Sequence, residues 1–229
     1  MKTSDDPLPW ILLFVSLGLL AFPFPGLYSR RNSYRGLAEL DIERRNGSWW
    51  RTWRRVLRFP WHWAEIARGC VGSWMAMRML DTIAPEWPLS AALADWARPV
   101  IPLLAVLVSN VLSALLFRSP GKQPAPVFFT GVSVLTLLSP AVAIPSVLLA
   151  GAVTLAFKSL LLFFVVLGPA LLTLGLIFDR EPWPAITGLA VAVAPVLVAA
   201  GRNRELVLPV HRSRAREAGD RATGSEHKL

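Results

Sequence analysis

His62 and Glu65 stand three residues apart in a stretch with helical spacing, so their side chains share one helix face. An imidazole and a carboxylate placed that way could form an acid–base pair or two arms of a metal site. Either use needs a further ligand or partner, and the only other histidines, His211 and His227, lie in the C-terminal tail. A histidine at a headgroup boundary, bonded to its helical neighbour, is the simpler reading. Cys70 is the single cysteine; Arg68, two residues away, falls on another helix face, so Cys70 reads as a small packed residue rather than a nucleophile.

Two further residues stand out because their surroundings are apolar. Lys158 is the one charge between Val127 and Phe178, and Asn110 sits with Ser109 and Ser113 in the middle of an apolar run. Polar groups at membrane depth mark functional sites by default, which makes Lys158 and Asn110 a candidate intramembrane polar site. Against that, Lys158 falls about one turn inside the end of its expected helix, where its stem lets the ammonium reach water. Asparagine in mid-membrane commonly bonds to another helix, for about 1 kcal/mol. The apolar runs hold no acidic residue to relay protons, and the chain has no phosphate-binding loop, nucleotide fingerprint, serine elbow or HExxH motif. No cofactor or metal is expected, and an enzyme is less favoured than a non-enzymatic role.

The elements that would position these residues follow from the distribution of charge. Of 229 residues, 54% are apolar and 17% charged, but 99–200 carries only Arg118, Lys122, Lys158, Asp179, Arg180 and Glu181. That partition predicts an all-α, polytopic transmembrane bundle with two basic aqueous segments. Five spans are expected: Leu8–Phe24 within an N-terminal unit 1–26, 99–117, two from Val127–Phe178 turning at Gly151, and Trp183–Ala200. Pro140 and Pro145 leave a broken span around 139–151 as the alternative. Segment 27–98 reads as interfacial helices, 99–200 as a four-span bundle, and 201–229 as a basic tail ordered only over a short helical extension.

Within 27–98, residues 47–69 read GSWWRTWRRVLRFPWHWAEIARG. On a helix, Trp49, Trp50, Trp53, Val56 and Leu57 share one stripe, and Arg51, Arg54, Arg55 and Arg58 take the other face. A second helix from Trp61 to about Leu80 carries Trp63, Ile66, Cys70, Trp74 and Met77 on one side and a small, lightly charged set on the other. Tryptophan and arginine so divided fit a lipid interface, with Trp61 and Trp63 continuing the aromatic belt. Each basic residue near anionic lipid contributes about 1 kcal/mol. Nucleic acid would need the tryptophans to face water as stacking platforms, which their shared stripe with Val56 and Leu57 disfavours.

Lysine and arginine placement puts the tail and 27–98 in the cytoplasm, the N-terminus outside, and loop 118–126 on the outside. The sequence thus predicts a cell (inner) membrane protein of structural, scaffold or accessory-subunit type. Its expected partners are anionic lipid headgroups and other membrane subunits. A small transporter or lipid-handling protein is the alternative, and an enzyme acting on lipid phosphates the third reading.

Overall fold

Prolines set most of the helix boundaries in the computed structural model, which describes residues 7–23, 33–40, 54, 56–83, 91–117 and 121–210. Helix α1 (Leu8–Ala21) starts at Pro7 and ends where Phe22 turns extended ahead of Pro23. Helix α2 (Pro60–Ile83) opens on a proline, whose missing N–H costs nothing in a first turn. Helix α3 (Ala91–Leu116) fuses the 90–97 stretch with the second apolar run, so Pro99 and Pro102 lie inside the helix and not in its first turn.

Residues 127–179 form three helices rather than a two-helix hairpin: α4 (Val127–Leu137), α5 (Pro140–Phe157) and α6 (Leu160–Leu174), the last running into a π-helical turn at Gly175–Asp179. The turn expected at Gly151 does not occur; Gly151 lies inside α5. A helical glycine costs only about 1 kcal/mol, too little to break a packed helix. The chain breaks instead at Ser139, held extended before Pro140, and at Lys158, which takes the left-handed conformation at φ 56°. Lys158 is therefore the turn residue between two helices, not a residue one turn inside a span. Helix α7 (Pro182–Gly201) closes the bundle.

A small sheet covers one end of it. Strands β1 (Ser33–Arg35), β2 (Lys122–Pro124) and β3 (Glu205–Val210) lie in the order β1-β3-β2, antiparallel for β1/β3 and parallel for β2/β3. The tail is thus ordered well past α7, because Leu206, Val207, Leu208 and Val210 are buried. Strand β2 flanks only 205–207 and β1 only 208–210. Pro209, which cannot donate, sits where one neighbour alone pairs with the strand.

Contacts at the helix ends fix the chain directions. At the sheet end, His62 in the first turn of α2 bonds Pro209, and Arg202 and Arg204 beyond α7 donate to the carbonyls of Ala114 and Phe117 at the end of α3. At the far end Asp81 of α2 pairs with Arg98 of α3, the rings of Trp96 and Trp183 stand 6.0 Å apart, and Ser139 donates to Asp179. Helices α1, α3, α5 and α7 therefore run toward the sheet, and α2, α4 and α6 run away from it. Loop 118–126, expected opposite the tail, joins it: its Lys122–Pro124 is strand β2, paired directly with β3. The reason is α2, which carries the chain to the far end before α3 begins.

The protein is an all-α helical bundle in which, among the described residues and against the five spans expected, four helices are long and apolar enough to cross a membrane: Trp96–Leu116, Pro140–Phe157, Leu160–Asp179 and Pro182–Gly201. Leu8–Ala21 and Val127–Leu137 are apolar but shorter. Helices α6 and α7 meet closely because a β-carbon on Gly168 would come within 2.9 Å of Leu189, while Leu171 packs over Gly188.

Candidate functional site

Over its first half, helix α2 turns its ionisable side chains inward. His62, Glu65, Arg68, Gly69, Gly72, Ser73 and Ala76 are buried, while Trp63 and Trp74 are 55% and 61% exposed. Helix α1 can approach the small side closely, since a β-carbon on Gly72 would reach 2.9 Å from Leu20. Phe129 of α4 lies just beyond Gly69.

Arg68 is the centre of this interior. Its Nη2 donates to Glu65 at 2.6 Å and to Ser109 Oγ at 3.1 Å. Its Nη1 donates to the carbonyls of Leu19, Leu20 and Phe22 at 3.2, 3.1 and 2.8 Å. The guanidinium also lies 3.7 Å from the centre of the Phe129 ring. The last carbonyls of a helix have no partner within it and carry its negative end. Arg68 serves those of α1, which is how a helix of 14 residues can stop inside the bundle. Sequence reasoning missed this role; the signal was an ionic pair at i and i+3 on the same face as Gly69, Gly72, Ser73 and Ala76, opposite a tryptophan face.

Asn110 makes the cross-helix bonds its position suggests. Its Nδ2 donates to Thr130 Oγ1 and to the Val191 carbonyl, both at 3.1 Å, tying α3 to α4 and α7. Lys158 lies at the α5–α6 turn, at the sheet end. The two candidate residues thus occupy different parts of the fold, and the Asn110 amide is committed to its neighbours.

His62 is buried at the sheet end, outside the apolar spans, between the rings of Phe59 and Phe128. Its Nε2 donates to the Pro209 carbonyl at 2.9 Å, which requires the proton on that nitrogen. Burial lowers its pKa from 6.5 to about 4, the Pro209 bond opposing the shift. Because the folded pKa lies below the unfolded one, the unfolded chain binds the extra proton between those values. The stability that His62 governs should be flat well above pH 6.5 and fall as pH drops from 6.5 to about 4. Thermal unfolding in detergent at several pH values checks this, and His62→Gln should flatten that part of the curve. A shallow recess lined by His62, Glu65 and residues 124–129 opens beside this bond.

Of the arginine–tryptophan segment, Trp49, Trp50, Arg51, Trp53 and Arg55 lie outside the described residues. Arg54 and Arg58 are exposed, whereas Val56 is buried against Leu40 and Val210. Trp61 is half-buried, and Trp63 faces outward with its Nε1 donating to the Leu57 carbonyl. The segment is thereby fastened to the tail strand. Among the described residues no group of three or more His, Cys, Asp or Glu could hold a metal ion. No protein-family model, curated protein or solved structure matches the chain.

Proposed function

We propose that this multi-pass membrane protein is a scaffold or accessory subunit that presents a basic platform on the cytoplasmic side of the cell (inner) membrane. The carrying observation is the sheet, which joins three separate chain segments at one end of the bundle. Among the described lysines and arginines, Arg78, Arg98 and Arg180 lie at the far end and Arg68 in the interior. Arg35, Arg54, Arg58, Lys122, Lys158, Arg202 and Arg204 lie at the sheet end. The positive-inside rule makes that end cytoplasmic, with the N-terminus outside and the C-terminus inside. Arg54 and Arg58 face anionic headgroups or the acidic surface of a partner subunit, and Trp61 and Trp63 set the depth.

The interior supports this role over transport or lipid chemistry. Asn110 and Arg68 spend their donors holding helices together, Glu65 is tied to Arg68, and His62 is engaged by the tail strand. The test is extraction into lipid discs that retain native neighbours, followed by mass measurement. The expected result is a particle with a stoichiometric partner chain, lost in an Arg54→Glu, Arg58→Glu variant. A particle holding the 25.2-kDa chain alone would contradict the proposal.

A further inference from the structure

Helix α2 has an outward face that no other described element covers, and its composition names its surroundings. Trp63, Ala67, Val71 and Trp74 form one exposed stripe at steps of four, four and three residues. No charge interrupts the stripe before Arg78, whose guanidinium lies 5.9 Å from the Trp74 ring. In water such a stripe would be a liability, and a soluble helix would turn it inward and its charges out. Here His62, Glu65 and Arg68 point in, where protein groups satisfy them. That is the arrangement hydrocarbon demands of a helix carrying ionic groups.

Length and neighbours agree. Twenty-four residues reach about 36 Å, against roughly 30 Å of hydrocarbon. Helix α2 starts at the sheet and ends at the Asp81–Arg98 pair, the same two ends between which the four apolar helices run. The four apolar helices likewise leave large apolar side chains exposed, such as Leu104 and Val108 of α3. We infer that Trp63–Arg78 crosses the bilayer with its tryptophan stripe against lipid. This is an additional pass that averaged hydropathy conceals because the charges are turned inward. The inference rests on the membrane reading above and deepens it: α2, not a surface-lying helix, carries the chain across, so loop 118–126 shares a side with the tail.

Single cysteines test it in a Cys70→Ser background, at Val71, Thr82, Lys122 and Glu205, labelled with a membrane-impermeant maleimide in sealed vesicles of one orientation. A crossing α2 predicts that Lys122→Cys and Glu205→Cys label from one side and Thr82→Cys from the other. Val71→Cys should be protected until detergent is added. If Thr82→Cys labels with Glu205→Cys while Lys122→Cys labels from the opposite side, α2 does not cross and the inference falls, with the membrane reading intact. If all four label without detergent in protein released by alkaline carbonate, both fall together.

Discussion

Replacing Arg68 with leucine will destabilise the protein by about 3–5 kcal/mol, the largest loss expected from any single interior substitution. Two costs combine. Glu65, 6% exposed, loses the guanidinium at 2.6 Å and must either remain charged without it or take up a proton. The carbonyls of Leu19, Leu20 and Phe22 lose their shared donor, so the end of α1 is left without that cap. The costs can be separated. Glu65→Gln alone keeps an oxygen facing Arg68 and should cost less, about 1–2 kcal/mol. Adding Glu65→Gln to Arg68→Leu should recover part of the loss, the part due to the stranded carboxylate. Denaturant unfolding in mixed micelles measures all three, and simple additivity would refute the ionic part of the argument.

Val207→Asp should be the next most damaging change, at about 3 kcal/mol or more, because it places a charge at a position with no exposure. Val207 pairs with Pro124 of β2, and its carbonyl accepts from the Ala125 N–H just before α4. Unseating it would loosen β3 along its length: the Pro209 carbonyl on His62, and Val210 on Leu40 and Val56. The arginine segment would then lose its attachment to the bundle. Limited proteolysis within 56–60 should therefore accelerate in Val207→Asp and stay unchanged in Glu205→Gln, whose side chain is exposed. Equal cleavage in both variants would show that the strand does not hold the segment.

These two sites also mark where the sequence was readable and where it was not. The apolar runs that became α3, α6 and α7 declared themselves by length and lack of charge, and Asn110 by its polarity among them. Helix α2 was legible as a helix from Trp61 to about Leu80 but not in which face it buries, because a window average counts Glu65 and Arg68 against burial whichever way they point. Their shared face with Gly69, Gly72 and Ser73 is the pattern that distinguishes an inward-turned charge. The turn at Lys158 was hidden because lysine carries no left-handed preference, whereas Gly151 looked like a breaker and is not one. The sheet was hidden for a topological reason. Two of its strands are three residues long, and their partner lies 83 positions away in the chain for β2 and 173 to 177 for β1. Only ELVLPV carried a local strand signal, in its run of β-branched and leucine residues.

The account depends on the tail strand and loop 118–126 meeting at the same membrane face. In the parallel register Lys122, partly buried, lies opposite the exposed Glu205. A Lys122→Cys, Glu205→Cys pair in a Cys70→Ser background, oxidised in native membranes, measures this directly. The account predicts a disulfide within one chain, seen as the two halves staying joined after cleavage at a protease site engineered into the α5–α6 turn until reductant is added. No cross-link, together with labelling of the two cysteines from opposite faces, would contradict it.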